Sequence, residues 1–316
     1  MGSATRALAI DIGGTKIAAA FVDEQGGLHG LSTVSTPVGD GEMVWAALAE
    51  LVRRVRATDD GQACVGLGVG TAGPHDRVRG TVSPLNIVGW RGFPLRERLQ
   101  EFAGELPVEI ANDGVCMAYG EHTFGAGRGV DDMVGMVVST GVGAGLILGG
   151  RPLLGPSGNA GHVGHLVVDV HGPPCPCGGR GCVEAIASGP SLLRWALDGG
   201  WQPAEGQEAT VPELAASARD GDALAVAAFA RSGMAVGAAV ASIAAACDVR
   251  LAVIGGGVAN VGELLFGPAR AALAEHGRLA YLEGVTIVPA ALGGGHAGLL
   301  GAAALVLGDR LAPAAP

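Results

Sequence analysis

Two segments of this 316-residue chain share one pattern, an apolar run, a glycine turn and a second apolar run. The first segment is residues 7–22 (ALAIDIGGTKIAAAFV), and the second is residues 133–148 (MVGMVVSTGVGAGLIL). Glycines between two apolar runs are typical of a tight β-hairpin, because such turns need backbone angles that glycine adopts easily. The repeat therefore predicts two related α/β domains that each open with a hairpin.

The spacing of apolar residues elsewhere predicts the remaining elements. We predict helices over residues 41–55, 94–102, 115–122, 190–197, 211–218, 223–246 and 298–307, and strands over residues 63–70, 108–111 and 251–254. We expect an N-terminal domain of residues 1–112, completed by a C-terminal helix over about 298–316, and a larger domain of residues 113–297. No flexible linker is evident, so we expect the domains to share a cleft, and the Pro/Ala tail to fray.

Composition limits the kind of partner. The net charge is −10 with only 20 basic residues, which disfavours a broad surface for nucleic acid and favours small ligands. The N-terminus reaches an apolar strand and Asp11 almost at once, which does not fit a signal peptide. The apolar run 233–247 has about fifteen residues, short of the roughly twenty that span a bilayer, and is interpreted as a buried helix. We therefore expect a cytoplasmic protein without membrane partners.

A cysteine cluster predicts a metal site. Cys175, Cys177 and Cys182 lie within eight residues, close after His165, and Cys₃His is an ordinary tetrahedral zinc shell. A disulfide is the alternative, although only one residue separates Cys175 from Cys177. The predicted zinc is structural, because four protein ligands leave no open position for water. In a reducing compartment the other cysteines, Cys64, Cys116 and Cys247, are expected to be small core residues.

The first glycine turn, DIGGTK at residues 11–16, has the features of a phosphate site. Gly13 and Gly14 have no Cβ, so backbone N–H groups can approach an anion closely. Lys16 is the only lysine beside nineteen arginines, which indicates a cramped phosphate site that suits a compact charge. Asp11 is placed to hold Mg²⁺ through water. A hairpin turn that binds nothing remains the alternative, since it needs the same glycines.

Residues 68–73 (GVGTAG) match GxGxxG after an apolar strand, which is a dinucleotide-binding pattern. Pro74 and His75 follow instead of a helix, and no acidic residue lies about twenty residues further on. No GxxxxGK[ST] motif occurs either. We therefore reject a dinucleotide site and expect these glycines to let a ligand approach the backbone.

The motifs DIGGTK, STGVGAG, VIGGGV and the Gly-His stretch followed by CxCGxxGCxE occur in this order along the chain. With them the chain resembles the ROK family of sugar kinases and repressors over nearly its whole length. The resemblance implies an α/β, actin-like (ribonuclease H-like) ATPase fold, with two α/β domains around a cleft that binds ATP and Mg²⁺. It implies transfer of the γ-phosphoryl group of ATP to the 6-hydroxyl of a hexose, and a homodimer or homotetramer.

The resemblance also implies roles for single residues. Asp113 matches the catalytic base that accepts the proton of the sugar hydroxyl, and a plain helix cap is the alternative. Sugar contacts are implied for Gly73, Asn86, Asn112, His162, His165 and Glu184, with His165 also a zinc ligand. Nucleotide contacts are implied for Asp11, Gly13, Gly14, Thr15, Lys16, Thr140, Gly141, Gly143, Gly145, Gly255, Gly256 and Gly257. The zinc then shapes the sugar pocket without touching the phosphoryl group.

One position departs from the family pattern. Most members have Glu-x-Gly-His where this chain has His162-Val163-Gly164-His165. An imidazole donates hydrogen bonds where a carboxylate only accepts them, which suits an amide carbonyl better than hydroxyl protons. The surrounding HGPxCxCGxxGCVEAIASG resembles bacterial N-acetylmannosamine kinases. We therefore expect an N-acyl hexosamine as substrate, with glucose as the alternative if His162 is a neutral replacement.

Two other classes of protein fit the sequence less well. ROK repressors carry a helix-turn-helix segment before the DIGGT strand, and here that strand begins within about ten residues of an acidic chain, so we expect no repressor. A sugar-binding protein without activity is disfavoured by the presence of Asp113, Lys16 and both glycine turns.

Overall fold

The computed structural model describes residues 5–58, 63–293 and 295–311. The strands are β1 (Arg6–Ile12), β2 (Lys16–Asp23), β3 (Leu28–Ser35), β4 (Cys64–Thr71), β5 (His75–Asp76), β6 (Thr81–Val82), β7 (Val108–Asn112), β8 (Met133–Val138), β9 (Val142–Leu148), β10 (Arg151–Pro152), β11 (Leu251–Gly255) and β12 (Thr286–Pro289). The helices are α1 (Gly41–Arg56), α2 (Leu95–Ala103), α3 (Asp113–Phe124), α4 (Val183–Ala187), α5 (Gly189–Asp198), α6 (Val211–Arg219), α7 (Ala223–Cys247), α8 (Glu263–His276) and α9 (Ala297–Leu307).

The first five-stranded sheet has the order β3-β2-β1-β4-β7. Strands β1 and β2 are antiparallel and form the first predicted hairpin, whereas β4 lies parallel to both β1 and β7. Alternate residues of β1 face opposite sides of this sheet, as strand geometry requires. Leu8 and Ile10 pack with Leu48 of α1, while Ala7 and Ala9 pack with Leu300 of α9. The small alanines on the second face let α9 lie close to the sheet.

Glycines of the GxGxxG pattern, residues 68–73, allow helices to pack closely on this sheet. Gly68 lies inside β4, where a Cβ would collide with the carbonyl of Ala302 in α9. A Cβ at Gly70 would lie 3.1 Å from the sulfur of Cys116. The expectation that these glycines admit a ligand is therefore wrong for Gly68 and Gly70, which admit neighbouring helices. The rejection of a dinucleotide motif is consistent with this.

The second five-stranded sheet has the order β10-β9-β8-β11-β12. Its neighbours β8 and β9 form the second predicted hairpin, closed by a hydrogen bond from the N–H of Ser139 to the carbonyl of Gly141 (2.9 Å). Strand β11 is parallel to β8 and to β12. The predicted helices and strands are confirmed within a few residues at their ends. Sequence reasoning missed α4 and α8 and the strands β3, β5, β6, β10 and β12, which have weak or short apolar periodicity.

The chain divides into two compact units. The described parts of Met1–Asp131, Gly145–Gly161 and Ala291–Pro316 form the first unit, and Asp132–Ala144 with His162–Ala290 form the second. The expected boundary after residue 112 differs from this division, since it assigned α3 to the second domain. Helix α3 belongs to the first unit because its buried Val115 and Cys116 pack with Leu299 of α9.

The last predicted helix, over residues 298–307, is confirmed as α9, which ends at Leu307; the C-terminal segment of about 298–316 assigned to the first domain is therefore helical only in its first part among the described residues. The Pro/Ala tail at residues 312–316, which was expected to fray, lies outside the described residues.

Helix α7 has 25 residues, whereas the apolar run considered in the sequence had about fifteen. By length and composition alone, this helix is long enough to cross a bilayer. Over half of its most apolar window (56%) is buried, with Phe229 and Val236 fully enclosed. Length therefore does not exclude a membrane span, whereas the packing of α7 is that of a buried helix, as expected. Among the other cysteines, Cys116 is a core residue as expected, but Cys64 and Cys247 are only part-buried.

Candidate active site

Three polar side chains lie at the ends of two parallel strands of the first sheet, β1 and β7, which flank β4. Register pairs Asp11 of β1 with Gly70 of β4, and Thr71 of β4 with Asn112 of β7. The carboxyl ends of parallel strands meet at one sheet edge, which is where ligands bind in α/β folds. Asp11, Asn112 and the following Asp113 are therefore brought to the same edge of the first unit.

The charges at this edge act on one another. Burial raises the pKa of Asp11 to about 6; the negative charge of Asp113 adds to the rise and the positive charge of Lys16 opposes it. Three predicted site residues thus lie within electrostatic reach of each other. Such a perturbed carboxyl group beside a second carboxylate marks a candidate functional site.

The Asn112–Asp113 pair starts helix α3. Asn112 is the N-cap, and its side-chain oxygen accepts a hydrogen bond from the N–H of Gly114 (3.0 Å). Asp113 is the first helical residue; its Oδ1 accepts from the same N–H (2.8 Å), and its side chain is exposed. The capping role therefore falls mainly on Asn112, which is buried. Asp113 presents a carboxylate to solvent at a helix N-terminus, where negative charge is stabilised.

Backbone hydrogen bonds and Thr36 hold the first glycine turn. The N–H of Gly13 donates to the carbonyl of Lys16 (2.9 Å), so it is engaged in the turn. The hydroxyl of Thr36 donates to the carbonyl of Gly13 (2.7 Å), and the N–H of Thr36 donates to the carbonyl of Thr15 (3.0 Å). Thr15 and Lys16 are exposed. Sequence reasoning missed Thr36, a buried anchor of the turn, because nothing local to β3 marks it.

Asn86, predicted to contact sugar, lies against this turn. A Cβ at Gly14 would come within 3.0 Å of its Nδ2 atom. Gly14 and Asn86 are 72 positions apart in the chain, so only the tertiary structure brings them together. A larger residue than glycine at position 14 would displace the Asn86 amide.

The loop that contains Gly73 is held by a residue that sequence reasoning missed. The amide oxygen of Asn159 accepts from the N–H of His75 (2.8 Å), and its Nδ2 donates to the carbonyl of His75 (2.7 Å). The ring nitrogen Nε2 of His75 lies 3.1 Å from the carbonyl of Thr71. The only local signal was the position of Asn159 in the polar stretch GPSGNAGH, just before His162.

In the second unit, the second glycine turn meets Glu184. The N–H of Val142 donates to Oε2 of Glu184 (2.9 Å), and a Cβ at Gly141 would lie 2.7 Å from the same oxygen. The turn after β11 lies alongside, because the N–H of Val258 donates to the carbonyl of Val138 (3.0 Å). One region of the second unit thus contains the predicted residues Thr140, Gly141, Gly143, Glu184 and Gly255 to Gly257. Gly145 lies within β9, packed on Val115 of α3, so the predicted contact to phosphate is wrong there.

The four predicted zinc ligands lie together. One ligand atom from each of His165, Cys175, Cys177 and Cys182 lies within 4.8 Å of all the others. The Nδ1 of His165 is 3.8 Å from the sulfur of Cys175, and the sulfurs of Cys177 and Cys182 are 3.8 Å apart. A tetrahedron with Zn–S bonds of about 2.3 Å has edges of about 3.8 Å, so the donor set fits zinc.

The chemistry of the thiols supports the same cation. Burial raises the pKa of Cys182 to about 12, and hydrogen bonds with Cys175 and Cys177 add to the rise. Burial also raises the pKa of Cys175, whereas a backbone hydrogen bond from Gly179 lowers the pKa of Cys177. Two of the three thiols therefore resist losing their protons unless a cation neutralises them. The cysteines are free of disulfides, so the alternative of a disulfide is not supported. His162 is exposed nearby, with its ring centroid 6.3 Å from that of His165.

Comparison with known proteins identifies the family. The sequence profile of the ROK family matches residues 7–309. The chain belongs to the ROK family. Its α/β sheets are those of the actin-like fold of ROK sugar kinases. The resemblance stated from the sequence motifs is thereby confirmed.

Two curated ROK relatives carry different names. A glucokinase from Streptomyces coelicolor is 34% identical over 310 residues, which cover 94% of this chain and 96% of that protein. An N-acetylmannosamine kinase from Yersinia pseudotuberculosis is 39% identical over 254 residues, which cover 80% of this chain and 83% of that protein. Both are sugar kinases, and they differ in the sugar that they are named for.

Solved structures give the same fold. A ROK family glucokinase from Streptomyces griseus, in complex with glucose and AMPPNP, is 35% identical with a TM-score of 0.77, covering 95% of this chain and 99% of that one. A ROK family transcriptional regulator is 25% identical with a TM-score of 0.83, covering 98% of this chain and 80% of that one. The ROK fold therefore serves both kinases and regulators, and the site residues must distinguish them.

Proposed function

We propose that this ROK protein is an ATP-dependent sugar kinase that transfers the γ-phosphoryl group to the 6-hydroxyl of a hexose. The observation that carries the proposal is the exposed carboxylate of Asp113 at the sheet edge, within electrostatic reach of Asp11 and Lys16. A regulator that only binds sugar has no need for a free proton acceptor beside a second carboxylate and a cation. The sugar kinases among its relatives support the same class.

In this proposal the residues of the first unit handle the transfer. Asp113 accepts the proton of the attacking hydroxyl and orients that oxygen toward the phosphorus. Asp11 holds the Mg²⁺ that accompanies ATP, through water, and Lys16 neutralises charge on the phosphates. Mg²⁺ bound to the nucleotide would offset the developing negative charge. The chain itself supplies positioning and electrostatics, which carry most of the catalysis of phosphoryl transfer.

The sugar is assigned to Gly73, Asn86, Asn112, His162, His165 and Glu184. Their contacts support this without a ligand: Asn86 is fixed against Gly14, and Glu184 is held on Val142. Zinc bound by His165 and the three cysteines would fix the loop that carries His162 and Glu184, with Nδ1 of His165 directed to the sulfurs. The second ring nitrogen of His165 is then left for a hydroxyl group.

The substrate that we propose is N-acetylmannosamine, with glucose as the alternative. The proposal depends on His162, which is exposed and can donate to an acetamido carbonyl, as an acidic residue cannot. Similarity to the N-acetylmannosamine kinase from Yersinia pseudotuberculosis supports it, whereas similarity to the Streptomyces glucokinases supports glucose.

Coupled assays with ATP and a panel of N-acetylmannosamine, N-acetylglucosamine, mannose and glucose test both levels of the proposal. We expect the highest kcat/KM with N-acetylmannosamine. In a His162→Glu variant, the ratio of kcat/KM for N-acetylmannosamine to kcat/KM for glucose should fall roughly tenfold or more, as expected for the loss of one polar contact. A clear preference of the unaltered protein for glucose would refute the hexosamine substrate and leave the kinase. No turnover of any sugar with ATP would refute the kinase.

A sugar-responsive repressor is the second candidate, because the chain matches a ROK transcriptional regulator over 98% of its length. The acidic net charge of −10 disfavours it, since operator binding requires neutralisation of phosphates. Tight, salt-sensitive retardation of operator DNA would favour this candidate over the kinase. A cytoplasmic location and a homodimer or homotetramer belong to the first proposal, and size measurements in solution test the assembly.

A further inference from the structure

The backbone of Val142 contacts, on both sides, the segment that carries the predicted zinc ligands. On one side its N–H donates to Oε2 of Glu184 at 2.9 Å. On the other side its carbonyl oxygen occupies the space where a Cβ of Gly164 would be. Gly164 lies between His162 and His165, and Glu184 lies two residues after Cys182. Both ends of the metal-binding segment therefore contact the backbone of one residue, Val142, at the end of the second glycine turn.

The two ends of the segment are also tied to each other. The N–H of Val183 donates to the carbonyl of Leu166 (3.0 Å), and Val167 forms an isolated β-bridge with Cys182. Glu184 therefore projects from a braced position rather than from a free loop. Its carboxylate also fills the space beside Gly141, where a Cβ would approach Oε2 to 2.7 Å.

We infer that Glu184 is a positioning residue for the glycine turn formed by residues 139–142, in addition to its assigned contact with sugar. The inference rests on the proposed function for the identity of the two ligands, sugar at the carboxylate and nucleotide phosphates at the turn. It adds to the expectation from the sequence, in which Glu184 was given a sugar contact. The same carboxylate that receives sugar hydroxyls also fixes the backbone that receives the nucleotide.

A coupling between the two ligands follows. One oxygen of Glu184 is committed to Val142, and sugar hydroxyls that donate to the other oxygen restrict the carboxylate further. The turn then loses less freedom when the nucleotide binds, so sugar raises nucleotide affinity. By linkage, nucleotide raises sugar affinity by the same factor.

Hydrogen exchange at the amide of Val142 tests the contact without any ligand. In the Glu184→Ala variant we expect this amide to exchange roughly tenfold faster than in the unaltered protein, because its acceptor is gone. Glu184→Gln should keep exchange within about threefold, since the side-chain oxygen still accepts. Glu213→Ala is the matched control, because Glu213 also begins a helix and accepts from a backbone N–H, that of Ala204. Unchanged exchange in Glu184→Ala would overturn the inference.

Calorimetric binding of Mg·ADP tests the consequence. In the absence of sugar, we expect Glu184→Ala to bind Mg·ADP about three- to tenfold more weakly than the unaltered protein. Glu184→Gln should bind Mg·ADP about as tightly as the unaltered protein. Both variants should bind sugar more weakly. Glu213→Ala, the control whose carboxylate accepts from the N–H of Ala204, should leave Mg·ADP affinity unchanged. Equal losses of Mg·ADP affinity in the Gln and Ala variants, or no loss in either, would overturn the positioning role.

The positioning role of Glu184 and the proposed kinase function can be disproved independently of each other. If the unaltered protein bound neither Mg·ADP nor sugar, the proposed function would fail, and exchange at Val142 would still decide whether Glu184 holds the turn. If Glu184→Ala did not fold, Gly141→Ala serves instead, because its methyl group would displace Oε2 and free the same amide. Unchanged exchange in that variant would count against the inference.

Discussion

Asn159 pairs with the backbone of His75 through both ends of its amide, as a neighbouring strand would. The N–H of His75 donates to Oδ1 (2.8 Å) and its carbonyl accepts from Nδ2 (2.7 Å), across 84 positions of sequence. This pair fixes the loop in which Gly73, a proposed sugar contact, lies. A residue with no predicted role in chemistry thus holds part of the candidate site.

Replacing Asn159 with Asp should therefore impair sugar binding more than turnover. The substitution turns the donor that faces the His75 carbonyl into an acceptor, at a cost of about 1–3 kcal/mol in the free energy of unfolding. We expect KM for the sugar to rise roughly fivefold or more, as for a loss of about 1 kcal/mol in binding, with kcat within about twofold. Steady-state kinetics and denaturant unfolding measure both. Ser157→Ala, which leaves the His75 pair intact, is the control, and an unchanged KM in Asn159→Asp would contradict the prediction.

Replacing Asp113 with Asn should abolish turnover while sugar binding remains. The amide keeps an oxygen for the N–H of Gly114, so α3 still begins in the same way, but the proton acceptor is lost. Loss of a general base lowers kcat by about 10²–10⁴-fold. Asp222→Asn is a matched control, because Asp222 caps α7 through Ala225 and has no assigned role in catalysis. If sugar affinity measured by calorimetry fell together with kcat, Asp113 would be a structural residue instead.

Replacing Asp11 with Asn should stabilise the protein at neutral pH while impairing turnover. The pKa of Asp11 is about 6 in the folded state and 3.8 in the unfolded state, so the folded state binds the proton more tightly. Ionisation of Asp11 therefore lowers the free energy of unfolding as the pH rises from about 4 to 6. The penalty is complete above pH 6 and amounts to at most about 3 kcal/mol. We expect a higher Tm for Asp11→Asn at pH 7.5 and no such gain below pH 4. A lower Tm at pH 7.5 would mean that the carboxylate is stabilising.

In the unaltered enzyme, the same group should shape the pH dependence of activity. Asp11 must be ionised to hold Mg²⁺, so kcat/KM should rise with pH through about 6 and level off above it. Profiles measured at low and high Mg²⁺ check this assignment, because the cation competes with the proton and should shift the midpoint downward. A midpoint that does not respond to Mg²⁺ would assign the titration to another group.

Removing the metal should weaken sugar binding and stability together. Around the metal ligands, Cys175, Cys182 and Ala185 form a small core cluster of their own, so the ion takes the place of more extensive apolar packing there. We expect Cys177→Ser to lose zinc, measured by elemental analysis, to lower Tm by several degrees and to weaken sugar binding. Cys64→Ser is the control outside the cluster. Full metal removal with an unchanged Tm would contradict a structural metal.

The amino-acid sequence by itself determined those features that are written in consecutive residues. Alternating apolar runs around glycines predicted both hairpins, and helical spacing predicted α1 and most other helices, because side-chain direction repeats with a local period. The start of α3 at the Asn112–Asp113 pair and the Cys₃His set were also readable, since caps and metal loops use ligands that are close in sequence. The family, and with it the fold, followed from the same short motifs.

Tertiary structure decided what each glycine and polar residue is for. Gly68 in a binding pattern makes room for α9, and α3 belongs with the first sheet because its apolar face packs on α9. The contacts of Asn159 with His75 and of Glu184 with Val142 join residues 84 and 42 positions apart. No local period encodes such pairs, because they form only where packing of distant segments brings one donor to one acceptor.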